Sequence, residues 1–339
     1  MLKEATLLRD LKGDTVQCRV CEHFCVLDPG EWGKCGVRLN QEGKLYLAVY
    51  GNAVAAHVDP IEKKPLFHFL PGTEALSIGT YGCNMKCRWC QNWQLSQTRR
   101  VPPGEQKESD LMPERLVEIA ESRNLASIAY TYNEPTVFFE YTYDTAKLAH
   151  EHGIKNVYVS NGFMSEEVIE SIAPYLDGIN VDLKGFTNEL YEEYADARLD
   201  PVKRNIEIMA EDPGIWVEVT TLIIPDLNDS DEELRKAATW LASIDPDIPW
   251  HLSAFHPNFE MRDRGRTPKS TLDRAYDIGK EAGLHYIYVG NVMDAERSTT
   301  RCPRCGTKVV ERLGYSTRTR WQSPGTCSKC GEAVAGVWA

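Results

Sequence analysis

The sequence predicts an α/β fold built on a parallel sheet and flanked by two small cysteine-rich modules. Two observations predict it. Short apolar runs alternate with longer amphipathic stretches through the middle of the chain, the pattern of successive βα units. All eleven cysteines fall into three clusters, one near each end and one after the first apolar run of the middle. The 339 residues divide accordingly. Residues 1–72 read as an N-terminal four-cysteine module with lead-in strands, 73–293 as the sheet-forming domain and 294–339 as a C-terminal module.

A chain of this length buries most of its unfolded surface and needs no disulfides. No apolar run approaches the ~18 residues of a membrane helix, which argues against a membrane partner. The opening stretch MLKEATLLRDLKGD has no signal-peptide core. Cytoplasmic residence is expected, where clustered cysteines are more often metal ligands than disulfides.

The first cluster is Cys18-x2-Cys21-x3-Cys25-x9-Cys35, punctuated by Gly30, Gly33 and Gly36. So short a segment has little core of its own, and four thiolates suggest one closed metal site. Zinc is the expected occupant, with an iron–sulfur cluster as the alternative.

Leu76–Thr80 then reads as a buried strand, and Cys83-x3-Cys87-x2-Cys90 follows it on a loop. Three thiolates are one short of the four irons in a cubane [4Fe-4S] cluster. An open position marks a catalytic metal site, and the carboxyl end of a parallel strand is where α/β proteins place such sites.

Further strands are expected at Ser127–Tyr132, Lys155–Ser160, Gly178–Leu183, Ile215–Leu222, Trp250–Phe255 and His285–Val289. Amphipathic helices between them include Pro113–Arg123, Val137–His152, Glu166–Leu176 and Asp231–Ile244. Ser165 and Ser230 precede acidic first turns, as N-caps do.

The chain closes with Cys302-x2-Cys305-Gly306 and Cys327-x2-Cys330-Gly331, around a segment suited to a β-hairpin. Paired C-x-x-C turns build a tetrahedral four-thiolate site, the usual structural zinc arrangement; a single iron fits the same ligands.

C-x3-C-x2-C after a first strand, with an aromatic residue (Trp89) before the last cysteine, resembles the signature of radical S-adenosylmethionine (SAM) enzymes. The resemblance implies a partial (β/α)6 TIM barrel, a [4Fe-4S] cluster on Cys83, Cys87 and Cys90, and SAM chelated to the free iron. It also implies an electron donor such as flavodoxin or ferredoxin. Later strand ends carry the family's other motifs with variations. Asn133-Glu134-Pro135 aligns with Gly-Gly-Glu-Pro, which contacts the SAM amino group; Tyr132-Asn133 stands where the family has two glycines. Ser160-Asn161-Gly162 is similar to the Thr-Asn-Gly that approaches the ribose. Asp182-Leu183-Lys184 matches the Asp-Leu-Lys of pyruvate formate-lyase activating enzymes, between SAM and substrate. Ile223 is expected beside the adenine, and His256 at the Tyr-His step of those activases. Asp182, Lys184 and His256 are therefore the expected catalytic groups. Each motif also has a plain structural role open to it: Glu134 as a helix cap, Asp182–Lys184 as an ion pair, Asn161-Gly162 as a turn and His256 as a packed residue.

The whole chain resembles the AmmeMemoRadiSam-system branch of these enzymes, through the N-terminal four-cysteine module, Asp59-Pro60-Ile61-Glu62-Lys63-Lys64-Pro65-Leu66 and Tyr288-Val289-Gly290-Asn291-Val292. The expected activity is reductive SAM cleavage for hydrogen abstraction from a small molecule or a protein residue. A glycyl-radical enzyme activase is the alternative, with a protein substrate as partner. A third reading comes from the C-terminal module. Between Asp294 and Glu332 eight Lys/Arg face four Asp/Glu, with Tyr315 and Trp321 interleaved. Such a surface suits RNA, but the net charge of −12 weighs against nucleic acid.

Overall fold

The computed structural model describes residues 1–98, 100 and 111–339. Its centre is an eight-stranded sheet whose strands lie in chain order. β1 (Ala55–Pro60) is an antiparallel edge strand on β2 (Glu74–Gly79). From β2 onward every neighbour is parallel: β3 (Ser127–Tyr130), β4 (Lys155–Ser160), β5 (Gly178–Asp182), β6 (Trp216–Ile223), β7 (Trp250–Ala254) and β8 (Ile287–Gly290). β1 and β8 do not pair, so the barrel stays open. Seven parallel strands joined by six crossovers make the partial (β/α)6 barrel.

The crossovers carry helices α1 (Pro113–Ser122), α2 (Phe139–Glu151), α3 (Glu166–Ile172), α4 (Asn188–Ala195), α5 (Leu199–Glu211), α6 (Asp231–Ile244) and α7 (Lys269–Glu281). The Ser165 and Ser230 side chains accept from the Val168 and Glu233 N–H groups, so both expected caps form. Two helices are shorter than the periodicity predicts. The stretch to Leu176 tightens into a 3-10 turn at Ala173–Tyr175, where Pro174 has no N–H to give. The stretch from Val137 begins as a 3-10 turn, Pro135–Phe138, capped by Glu134. None of the described helices is long and apolar enough to cross a membrane.

Strand alternation divides each strand's side chains between two compartments. In β6, Val217, Val219 and Ile223 join the core shared with the helices. Inside the barrel, the segment after β1 acts as a plug: Ile61, Leu66 and Phe69 pack on Ala75, Ala129 and Val157. Glu218, also inward on β6, ties this plug down. Its carboxylate accepts from the Phe67 and His68 backbones, Trp216 Nε1 and His251 Nε2 at 2.6–3.0 Å. Burial alone would raise its pKa; these donors hold it below the ordinary value.

The N-terminal module consists of two three-stranded antiparallel sheets. It docks through Arg38, fully buried and paired with both carboxylate oxygens of Glu140 on α2. The C-terminal module contains the expected hairpin, Lys308–Leu313 against Ser316–Thr319, and packs beside β8. It too docks through a buried arginine. Arg312 donates to Ser298 O, Thr300 Oγ1 and Phe67 O, and its Nε lies 3.7 Å from Glu62.

Candidate active site

A cavity of about 300 Å³ opens at the carboxyl ends of β2–β7, large enough for a cofactor-sized ligand. Cys83, Cys87 and Cys90 line it together with Asn133, Glu134, Ser160, Asn161, Asp182 and Lys184. Nine of the expected site residues thus meet in one place, drawn from four strand ends.

The cysteine loop is fastened on all sides. Asn133 Oδ1 accepts from the Thr80 N–H, and its Nδ2 donates to Thr80 Oγ1, Tyr81 O and Gly82 O. Its amide is spent on holding the loop's first residues, a positioning role the motif alignment did not suggest. Asn92 Nδ2 donates to Tyr132 O at 2.7 Å, and the Lys86 and Arg88 N–H groups donate to Ala195 O and Tyr194 O beside α4. Tyr132 keeps a left-handed φ of +71°, a region that favours glycine. Its hydroxyl donates to Asp59, which also takes Lys63 and Lys64. Burial alone would raise the Asp59 pKa, but these three donors hold it well below the usual carboxylate range. The Asp59–Leu66 stretch noted in the sequence is therefore the brace behind this strained turn.

Burial pushes the Cys87 thiol up to about 12 and the Cys83 thiol well above its ordinary value. The Met85 N–H points at Cys83 Sγ (3.4 Å), and Ser96 Oγ lies 3.1 Å from Cys90 Sγ.

Glu134 is fully buried and takes four hydrogen bonds, from Thr136 N and Oγ1, Ser160 Oγ and Asn161 N. Burial raises its pKa in spite of them. It caps the 3-10 turn and welds β3's end to β4's, while still facing the cavity. Asn161 Nδ2 donates to Asn84 Oδ1 at 2.7 Å and approaches Cys83 Sγ at 3.8 Å. Lys184 and Asp182 pair at 2.6 Å. Burial would lower the Lys184 pKa, but Asp182 and then Cys87 raise it above the ordinary value, so the ammonium stays charged beside Cys87.

Two expected residues lie elsewhere. Ile223 is fully buried on the helix side of β6, and Leu222 reaches the cavity in its place; one residue along a strand reverses the face. His256 is half-buried two residues beyond β7, and the cavity there is lined by Ser253 and Asn291. Sequence reasoning also passed over Glu218 and His251. Their signal was a lone carboxylate in the apolar strand Trp216-Val217-Glu218-Val219.

The three cysteine sets differ in spread. Sγ atoms of Cys302, Cys305, Cys327 and Cys330 all lie within 4.8 Å of one another, the one such set among the described residues. Two of their contacts are 3.6 Å, close to the separation of about 3.8 Å that ~2.3 Å Zn–S bonds impose on a tetrahedron. Either zinc or a single iron fits.

A family model, the Radical SAM superfamily, matches residues 77–241. An uncharacterised protein of Methanocaldococcus jannaschii, MJ0808, is 38% identical over 98% of this chain and 99% of its own. The same organism's "Putative glycyl-radical enzyme activating enzyme MJ1632" is 23% identical over 54% of this chain and 68% of its own. A radical SAM methyltransferase from Sphaerobacter thermophilus shares the fold, with a TM-score of 0.51 at 17% identity over 66% of this chain and 67% of that one.

Proposed function

Because the chain belongs to the radical SAM superfamily, we propose that it cleaves SAM reductively at a [4Fe-4S] cluster on Cys83, Cys87 and Cys90 and directs the resulting radical at a separate substrate. The carrying observation is a three-thiol loop that shares one cavity with Glu134, Asn161, Asp182 and Lys184. When bound, the cluster supplies one electron that splits SAM into methionine and a 5′-deoxyadenosyl radical. The chain's own residues orient and enclose. Asn161 and Glu134 frame the place beside Cys83, and Lys184 with Asp182 sets a fixed charge pair across from them.

Room for a substrate adjoins. A second cavity of about 390 Å³ shares Pro65, Ser253 and Asn291 with the first and is walled by Gly314 and Tyr315 of the C-terminal hairpin. This supports hydrogen abstraction from a small molecule or a short protein segment entering there. Likeness to MJ1632 favours, as a second reading, activation of a glycyl-radical enzyme. RNA fits less well. Of the eight basic residues of the C-terminal module, Arg297, Arg301, Arg304, Lys308 and Arg320 pair with carboxylates, and Arg312 is buried near Glu62.

The test is direct. Anaerobically reconstituted protein with dithionite and SAM should release 5′-deoxyadenosine, and Cys87→Ala should lower the rate by at least about 10³-fold, ~4 kcal/mol in barrier. A Cys83/Cys87/Cys90 triple alanine variant that still cleaves SAM overturns the reading.

A further inference from the structure

We infer that Cys18, Cys21, Cys25 and Cys35 hold a second [4Fe-4S] cluster, placed against the first so that it relays single electrons to it. The inference rests on reading Cys83, Cys87 and Cys90 as cluster ligands, because they supply the yardstick. The C-terminal cysteines have contracted to the spacing of one ion. Among the described residues, neither Cys18/Cys21/Cys25/Cys35 nor Cys83/Cys87/Cys90 contains three sulfurs within that 4.8 Å limit. Yet all four N-terminal cysteines line one small cavity, closed by Val20, Gly33 and Val137. Ligands converging on one space without closing on a point suit a polynuclear cluster, where each thiolate binds a different iron. Four ligands leave no iron open, so this cluster has no place for SAM and is left with electron transfer.

Its position supports that role. Gly82, the residue before Cys83, packs on the module's backbone. A Cβ there would stand 2.6 Å from Cys35 O and 2.7 Å from Val37 Cγ1, at a φ of +85°. His23 Nε2 bonds Asn84 O at 2.7 Å, and Cys21 forms a β-bridge with Met164 just past Asn161. One layer of backbone therefore separates the two cysteine loops. Buried Arg38, paired with Glu140, lines the N-terminal cavity and fixes its wall against the barrel. One electron enters from a low-potential one-electron donor protein, or from dithionite in vitro, and one leaves to the catalytic cluster. No bond is made or broken.

The full-length Cys83→Ala/Cys87→Ala/Cys90→Ala variant, reconstituted anaerobically with iron and sulfide, decides the site. About four irons and four acid-labile sulfides per chain are expected. Absence of acid-labile sulfide, with no more than one or two metal ions of any kind per chain, overturns the inference; the C-terminal site accounts for one zinc or one iron and no sulfide. This variant leaves the N-terminal module intact, so the result does not depend on whether Cys18 or Cys35 variants fold. Electron paramagnetic resonance of the dithionite-reduced wild type decides the relay. The expected spectrum is broadened by spin coupling between two clusters. A simple sum of two isolated signals, or no second signal, overturns it. Release of 5′-deoxyadenosine tests the catalytic reading separately, so failure of one is distinguishable from failure of the other.

Discussion

The N- and C-terminal modules carry the same number of cysteines and dock by the same device, a buried arginine, yet they relate to the barrel in opposite ways. The N-terminal module sits at the mouth. No three of its sulfurs come within 4.8 Å of one another, and its backbone touches the Cys83–Cys90 loop at Gly82. The C-terminal module sits beside β8, its sulfurs drawn into a tight tetrahedron among Tyr286, Tyr288 and Val309. Only the hairpin tip, Gly314 and Tyr315, extends toward the open cavity. The docking arginines differ in the same sense. Arg38 meets Glu140 bidentately, and Glu140 holds its pKa above the ordinary value against the burial that would lower it. Arg312 relies on neutral acceptors, its carboxylate stands 3.7 Å away, and burial lowers its pKa. Equal ligand counts therefore say little about what a module does; its distance from the reactive loop and the spread of its sulfurs say more.

The largest test of this contrast removes the carboxylates. Glu140→Ala strands Arg38 in the interior and should cost about 3–5 kcal/mol in urea unfolding. Glu62→Ala leaves Arg312 with three oxygen acceptors and should cost about 1–2 kcal/mol. Equal losses would remove the distinction.

A pH series comes next. His68 joins the C-terminal module to the barrel, through Ala335 O and Tyr288 OH. Burial holds its pKa near 4, below the ordinary 6.5. The unfolded chain therefore binds the proton first. Stability from this group is full above pH 6.5 and drains away as pH falls toward 4, by about 3 kcal/mol in all. Unfolding free energies measured across that window should show the slope, and His68→Phe should flatten it. An unchanged slope would place the acid sensitivity elsewhere.

The smallest effect separates two glycines of the cysteine modules' own loops. Gly306→Ala has a φ of +70° and open space around it, so about 1–2 kcal/mol of backbone cost is expected. Gly82→Ala adds a clash with Cys35 O, about 1–3 kcal/mol more, and should lower iron incorporation at both neighbouring cysteine sets. If the two variants melt alike, the mouth contact is looser than the structure shows.

Much of this was legible in the chain. The alternation of apolar runs located all seven parallel strands, because strand burial leaves a local pattern. The cysteine spacings marked three candidate ligand sets, and the structure draws the C-terminal one into a compact four-thiol group, because ligands on one loop are close in sequence. Asp182 and Lys184 were legible as a pair because two residues apart on a strand share a face. Ile223 and His256 do not line the cavity, which the motifs by themselves could not show. The choice between residues 222 and 223 depends on which face of β6 the helices cover, and His256 lies past the strand, where the loop path sets direction. The plug and its anchor Glu218 were invisible, since they join residues about 150 positions apart.

By itself, the sequence determined the chemistry available: which strands form, which loops carry thiols, and that one cysteine set is a ligand short. Those are local properties, set by spacing and periodicity. Only the tertiary structure decided which four-cysteine module lies against the Cys83–Cys90 loop and which set of sulfurs contracts. The physical reason is that both depend on contacts between distant segments: Gly82 on Cys35, Arg38 on Glu140, Arg312 near Glu62. Such contacts leave no periodic trace in the chain.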